Sequence, residues 1–262
     1  MVSMCAQENK IPENESLLAA RAANKDKRYA DAEALMSKLT TSQPELLYTW
    51  IELGTAQKGL RKYAEAEHSF KVALGIAPAD PKASQNGLIL RPDVFADHTT
   101  ATLSHLAFVS PGAVVTKAGT RTPEFLGVAY SSLGEIYART GRIPEARAAF
   151  DAAASAFPAQ AALFRRNETI FFFQEGISDA QLDAAQKGIV LDPGQAIFYY
   201  FKGQALVSKA TIDPNTQKLV LPPDCAQAYS KYLELEPTGE FADDARNILT
   251  AAGLPIPANR KK

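Results

Sequence analysis

The sequence is poor in the residues that most often crosslink a chain or carry chemistry. Among 262 residues there are two cysteines, three histidines and one tryptophan. Cys5 and Cys225 lie near opposite ends of the chain, so we expect neither a disulfide bridge between them nor a metal site. No apolar run reaches the roughly 18 residues of a transmembrane helix, and we predict no membrane-spanning segment.

Neither positive nor negative charge is in clear excess. The chain has 28 basic and 29 acidic residues, which leaves a formal net charge of −1. Nucleic-acid binding depends largely on neutralising phosphates with a surplus of Lys and Arg. The composition therefore argues against DNA or RNA as a partner.

Patterns of common catalytic sites are missing as well. The sequence contains no Gly-rich phosphate-binding loop, and His98 and His105 lack the carboxylate or cysteine neighbours of a metal site. Cys225 is predicted in the first turn of a helix, which can lower a thiol pKa, but no histidine lies near it in the sequence. We therefore expect a packed thiol at Cys225 and predict no catalytic residue, cofactor or metal, so the protein is interpreted as not an enzyme.

The sequence does contain a repeated pattern of small, apolar and proline residues. In Leu47–Asp80 the pattern consists of Trp50, Leu53, Gly54, Ala66, Phe70, Ala73 and Pro78. Gly127–Gln160 carries the matching residues Tyr130, Leu133, Gly134, Ala146, Phe150, Ala153 and Pro158 at the same offsets. Both segments resemble the tetratricopeptide repeat (TPR), a 34-residue helix-turn-helix unit.

The spacing of the pattern has a physical reason. Small residues such as Gly54 and Ala66 belong where the two antiparallel helices approach each other most closely, and the larger apolar residues fill the space beside them. Pro78 closes the second helix, because proline lacks the backbone N–H and its ring clashes with the preceding turn.

Weaker copies of the pattern occur before and after these two segments. We predict an all-α fold, a TPR α-solenoid in the form of a right-handed superhelix, with a small β-hairpin inserted in its last repeat. The expected organisation is a disordered N-terminus or signal-peptide remnant in 1–12, repeats 1–2 in 13–80, an irregular insert or degenerate repeat in 81–123, repeats 3–4 in 124–195, repeat 5 in 196–238, a capping helix in 239–253 and a tail in 254–262.

Two departures from the 34-residue period are informative. Pro193 follows Pro158 by 35 residues, so the fourth unit has one extra residue, which we expect near Gly176. The fifth unit contains a longer insertion at 210–222, where two β-prone runs flank the turn sequence Asp-Pro-Asn-Thr. We predict a short β-hairpin in this insertion.

Residues 125–253 also resemble a group of TPR proteins common in Acidobacteria, through the stretches KGQALVSKATIDP and KYLELEPTG. That resemblance implies a bacterial protein, often of exported or envelope-associated context, without an assigned activity. As written, the first residues lack the charged and apolar regions of a signal peptide, which predicts a cytoplasmic protein. The alternative is a periplasmic or secreted protein, if the start codon is misassigned and residues 1–6 are a signal-peptide remnant.

A TPR protein usually binds its partner with the first helix of each pair, whose repeat positions 2, 5, 9 and 12 point into a concave groove. Chaperone-tail TPR domains place Lys at position 5 and Asn at position 9 to hold a terminal carboxylate, and this chain lacks that pair. What remains is a mixed groove suited to a peptide or helix with an acidic residue. The predicted groove residues are Tyr48, Lys58, Glu135, Arg165, Arg166, Phe172, Tyr200 and Gln204.

These observations predict a non-enzymatic TPR scaffold that mediates protein–protein interaction by binding a peptide or helix in this groove. The alternative is a structural or assembly subunit of a bacterial envelope complex or homo-oligomer, which packs through its end repeats or through the predicted hairpin. We expect a protein or peptide partner, and a monomer or weak oligomer.

Overall fold

The computed structural model describes residues 15–79 and 121–257. The predicted N-terminal segment 1–12, nearly all of the insert 81–123 with His98 and His105, and the end of the tail therefore lie outside the described residues. The chain divides into two compact units, Met1–Thr140 and Gly141–Lys262, which are described separately below.

The described part of the chain is all-α, as predicted, with its helices in successive pairs and one two-stranded sheet. The first unit contains the helices α1 Glu15–Lys25, α2 Tyr29–Ser42, α3 Leu47–Gly59, α4 Tyr63–Leu74 and α5 Pro123–Arg139. The second contains α6 Ile143–Ala156, a 3-10 helix Pro158–Gln160, α7 Ala161–Gln174, α8 Ser178–Leu191, α9 Ala196–Val207, β1 Thr211–Ile212, β2 Leu219–Val220, α10 Cys225–Leu235 and α11 Ala242–Ala251. None of these helices combines the length and the apolar character required to cross a membrane.

Small residues hold the helices of the first unit close together. A Cβ atom on Gly54 of α3 would lie 2.9 Å from the ring of Phe70 on α4. Phe70 and Ala66 are both fully buried. The glycine therefore allows the aromatic ring to lie directly against the backbone of α3, which confirms the predicted close approach of these two helices.

The same packing of an aromatic ring against a glycine occurs twice in the second unit, once on each side of α9. A Cβ atom on Gly188 of α8 would lie 2.2 Å from the ring of Phe198, and one on Gly203 would lie 3.0 Å from Tyr229 of α10. Both rings are fully buried. Around them lies a largely aromatic core formed by α9, α10 and α11, with Tyr200, Phe201, Tyr229, Tyr232, Leu233 and Leu249.

The insertion in the fifth unit folds as the predicted hairpin. Thr211 pairs with Val220 and Ile212 with Leu219 in an antiparallel register. The Oδ1 atom of Asp213 accepts hydrogen bonds from the backbone N–H groups of Asn215, at 2.7 Å, and Thr216, at 3.1 Å. An aspartate that bonds the backbone two residues ahead is typical of tight turns, which explains why the chain reverses here.

We expect the substitution Gly188→Ala to lower the free energy of unfolding of the second unit by about 1–3 kcal/mol, because its Cβ would overlap the buried ring of Phe198. The matched control is Gly194→Ala, since the atom nearest to a Cβ there is a flexible carboxylate oxygen 3.5 Å away. Chemical denaturation followed by circular dichroism measures both variants. Equal unfolding midpoints for the two would contradict the proposed packing.

Candidate functional site

A residue with positive φ marks the turn between the two helices of a pair. Lys27, Arg61, Gly141 and Gly176 have φ values of 61°, 60°, 79° and 71°. The backbone N–H that follows the turn residue donates to a carbonyl of the preceding helix in the same way in different pairs: Lys62 to Gln57 at 2.9 Å, and Ile177 to Phe172 at 2.9 Å. The turn at Gly176 is therefore of the ordinary form and contains no extra residue.

The extra residue of the fourth unit lies before α7 instead. The 3-10 helix Pro158–Gln160 runs directly into α7, which has 14 residues where α3 has 13. Because one residue turns an α-helix by about 100°, a count that starts at Pro158 and includes this extra residue assigns the wrong side chains of α7 to the core. Repeat positions in α7 must therefore be counted back from Gly176.

The burial pattern along α7 supports counting its repeat positions from Gly176. Counted from the turn, positions 2, 5, 9 and 12 of α7 are Leu163, Arg166, Ile170 and Phe173, and all four are exposed or partly exposed. Counted from Pro158, the same positions fall one residue earlier and include Arg165, Thr169 and Phe172, which are at most 7% exposed. The turn at Gly176, not the proline, sets the orientation of this helix.

Two of the predicted groove residues on α7 are thereby corrected. Phe172 is completely buried against Phe150, with ring centroids 5.5 Å apart, and offers no surface to a peptide. Arg165 is 7% exposed and is held by carboxylates on two helices. Arg166, the remaining predicted residue of α7, is exposed.

Arg165 belongs to a partly buried charge cluster. Its guanidinium donates to Glu168 at 2.7 Å and to Asp151 on α6 at 2.5 Å, and Lys187 on α8 donates to the same Asp151 at 2.9 Å. Burial lowers the pKa of Arg165, but its two carboxylate partners raise it by more. Glu168 is fully buried, and burial outweighs its ion pair with Arg165 and raises the pKa of this carboxyl to about 7.

This raised pKa makes a pH-dependent contribution to stability. A carboxyl whose pKa is higher in the folded than in the unfolded chain stabilises the fold fully below about pH 4.5, and the contribution is lost as the pH rises through 7. Glu168→Gln removes the titration and keeps the side-chain size. We expect this variant to flatten the decline in unfolding free energy between pH 5 and 8, by on the order of 1 kcal/mol.

Denaturant titrations across that pH range measure the effect, with the exposed Glu234→Gln on α10 as the control. A decline that is as steep in Glu168→Gln as in the wild-type chain would show that Glu168 is ionised in the folded state throughout.

Tyr200 on α9 is also covered, in this case by the last helix. Its ring stacks on Phe241 with centroids 4.1 Å apart, and its hydroxyl donates to Asp244 at 3.0 Å. Burial, aided by Asp244, raises the pKa of Tyr200 to about 12. Tyr200 is 4% exposed and is not an aromatic anchor for a partner. Gln204, one turn further along α9, is partly exposed.

The predicted residues of the first unit contact one another. Lys58 on α3 lies 2.8 Å from Glu135 on α5 in an ion pair, and Tyr48 packs edge-on against Phe125 with ring centroids 5.0 Å apart. On the other side of Tyr48, Arg21 of α1 lies over the ring at 5.4 Å. These residues bridge neighbouring first helices, so their polar groups are partly satisfied within the chain.

The second unit presents a different surface, which we name the α7–α11 face. It runs over the first helices α7 and α9 and the last helix α11. Beneath this surface the buried ring of Phe201 links the helices, with its centroid 5.0 Å from that of Phe173 and 5.9 Å from that of Phe241. Its exposed and partly exposed residues are Leu163, Arg166, Ile170, Phe173, Ile197, Gln204, Phe241, Asp244 and Ile248.

Leu163 and Phe173 are the residues that the sequence analysis missed. Both are large, apolar and well exposed, at 45% and 40% of their surface. The 35-residue separation of Pro158 and Pro193 signals the extra residue, but not its place. Only the turn geometry at Gly176 shows that Phe173, and not Phe172, reaches the surface.

Cys225 is a packed thiol, as expected. Its side chain is fully buried beside the carbonyl of Gly203, with Sγ at 3.5 Å from the oxygen, and burial raises its pKa to about 11. An activated thiol needs the opposite shift. Within residues 15–79 and 121–257, no group of three or more potential metal ligands is present.

Comparison with solved structures finds TPR proteins. YrrB, described as a TPR protein with an unusual peptide-binding site, is 14% identical over 92% of this chain and 94% of its own, with a TM-score of 0.49. The MamA protein is 17% identical over 85% of this chain and 93% of its own, with a TM-score of 0.48.

Similarity at this level says nothing about the partner of this chain. No protein-family model matches the sequence, and no curated protein matches it. The resemblance of residues 125–253 to an acidobacterial group of TPR proteins stays a prediction.

Proposed function

We propose that the protein is a scaffold that binds a segment of another protein on the α7–α11 face. The observation that carries the proposal is the pair of exposed apolar side chains, Leu163 and Phe173, at the two ends of one face of α7. Fully burying such a side chain contributes roughly 1.5–3 kcal/mol. Leu163 and Phe173 already bury more than half of their surface, so a partner that covers the rest gains part of this energy from each.

Polar groups between the apolar ones would orient such a partner. Arg166 lies between Leu163 and Ile170 on α7, and Asp244 and Gln204 lie on the neighbouring helices of the face. Binding sites for proteins commonly combine apolar contacts at the centre with polar groups that fix the register. The first unit is less suited to this role, since Lys58 and Glu135 already pair with each other.

The test starts from a partner captured by the immobilised full chain and then purified. We expect Phe173→Ala and Leu163→Ala each to weaken its binding about tenfold or more, the range typical of central apolar contacts. Val190→Ala is the matched control, because Val190 is apolar and 83% exposed but lies on α8, away from the face. Isothermal titration calorimetry measures the three affinities. An equal loss in the control, or none in either face variant, would rule out this surface.

A second candidate, assembly through the hairpin, is favoured by one observation. Ile212 and Val220 of the two strands are 64% and 49% exposed, and the short ribbon leaves both of its edges open. Val220 and the 38% exposed Leu254 line a shallow cavity of about 570 Å³ beside α10. Open strand edges flanked by apolar side chains are common sites of association between chains.

If the hairpin mediates self-association, the wild-type chain should form a dimer or larger species at high concentration. Ile212→Lys together with Val220→Lys should return it to a monomer, because a buried unpaired charge is costly. Light scattering after size-exclusion chromatography measures the mass. A monomeric wild-type chain, or an oligomer that survives both substitutions, would exclude this form of assembly.

A further inference from the structure

Most charged side chains of the second unit are paired within it. Ion pairs join Arg165 to Glu168, Lys187 to Asp151, Lys209 to Asp179, Lys231 to Glu234 and Arg246 to Asp243. Arg166 and Asp244 differ from these residues. Both are exposed, and neither takes part in an ion pair within the described residues of the unit.

These two charges occupy corresponding places at opposite ends of the α7–α11 face. Arg166 is at repeat position 5 of α7 when the helix is counted from its turn. Tyr200 and Asp244 are at the equivalent position of their own helices, because each follows the preceding proline, Pro193 or Pro237, by seven residues. Tyr200 lies between them on α9 and donates its hydroxyl hydrogen to Asp244. The exposed charges of this row are therefore a cation on α7 and an anion on α11, and the nearly buried hydroxyl of Tyr200 lies between them.

Apolar groups lie on both sides of this polar row. Leu163 on α7 and Phe241 on α11 lie on one side, and Ile170 and Ile248 lie on the other. An extended peptide crossing the three helices would direct successive side chains to alternate sides. Charged side chains six residues apart then point the same way, toward the polar row, and apolar side chains at the positions of opposite parity point the other way, toward apolar residues beside it.

The separation of the two charges sets the spacing in the ligand. Packed helices lie about 8–10 Å apart, so two helix spacings place Arg166 and Asp244 roughly 16–20 Å from each other. An extended chain advances about 3.3 Å per residue. The matching charges of a peptide are therefore about five to six residues apart.

We propose that the α7–α11 face selects an extended peptide of mixed charge, with an acidic residue bound at Arg166 and a basic residue bound at Asp244 about five to six residues away. Apolar residues between the two charges pack against the apolar side chains beside the polar row. This inference rests on the proposed function, since it names the ligand class of the same surface. Charge complementarity at the two ends distinguishes this ligand from one recognised by apolar contacts alone.

The test uses four synthetic peptides with blocked termini and the same alternating leucine and threonine core. At two positions six residues apart they carry Glu and Lys, Glu and Glu, Lys and Lys, or Gln and Gln. Fluorescence anisotropy with the full chain at low salt measures the affinities. We expect the Glu/Lys peptide to bind roughly threefold to tenfold more tightly than the other three, and the preference to shrink in high salt.

Charge reversal on the protein provides the decisive comparison. Arg166→Glu should make the Lys/Lys peptide the best ligand, and Asp244→Lys should make the Glu/Glu peptide the best one. Both sites are exposed, and thermal melts check that each variant folds. A change of preference toward a different peptide does not arise from partial unfolding, which would weaken all four alike.

The outcomes separate this inference from the proposed function. Equal binding of all four peptides, lost in Phe173→Ala, would overturn the charge selection and leave the binding face intact. Binding that neither charge reversal nor Phe173→Ala alters would overturn both. No binding of any peptide would also count against an extended ligand on this face.

Discussion

The turn between the two helices of a pair is the constraint on which the rest of this structure depends. In the pairs α1–α2, α3–α4 and α7–α8 a residue with positive φ follows the first helix, and the next residue donates a backbone hydrogen bond back into that helix. This closure fixes the rotation of the first helix about its own axis. Once the rotation is set, the side chains that pack inside and those that reach the surface are both determined.

Much of the fold could be predicted because its cause lies in short-range spacing. Gly54, Ala66 and Phe70 recur at a fixed interval, and the structure places the glycine against the aromatic ring. The hairpin followed from the Asp-Pro-Asn-Thr turn and its β-prone flanks. In both cases a few neighbouring residues suffice, since helix contacts and tight turns are local properties of the chain.

The surface residues were harder to predict, because they depend on where a single extra residue is accommodated. The sequence shows that the fourth unit has 35 residues, but a position before α7 and one at Gly176 fit the prolines equally well. The backbone decides between them through the turn at Gly176. The prediction that Tyr200 lines the groove was wrong for another reason. The residues that cover Tyr200 are Phe241 and Asp244, which lie outside the repeat that contains it.

The connection before α7, which is one residue longer than in the other repeats, also bears on how such a protein can change during evolution. Adding or removing one residue there leaves the turn at Gly176 untouched, and with it the set of α7 side chains that face the core and the surface. The connection can therefore change in length without altering the α7–α11 face. The charged pair Arg165 and Glu168 fills the interior of this repeat, at positions where Trp50 and Leu53 stand in the second repeat, so the core of one repeat accommodates an ion pair where another has apolar side chains.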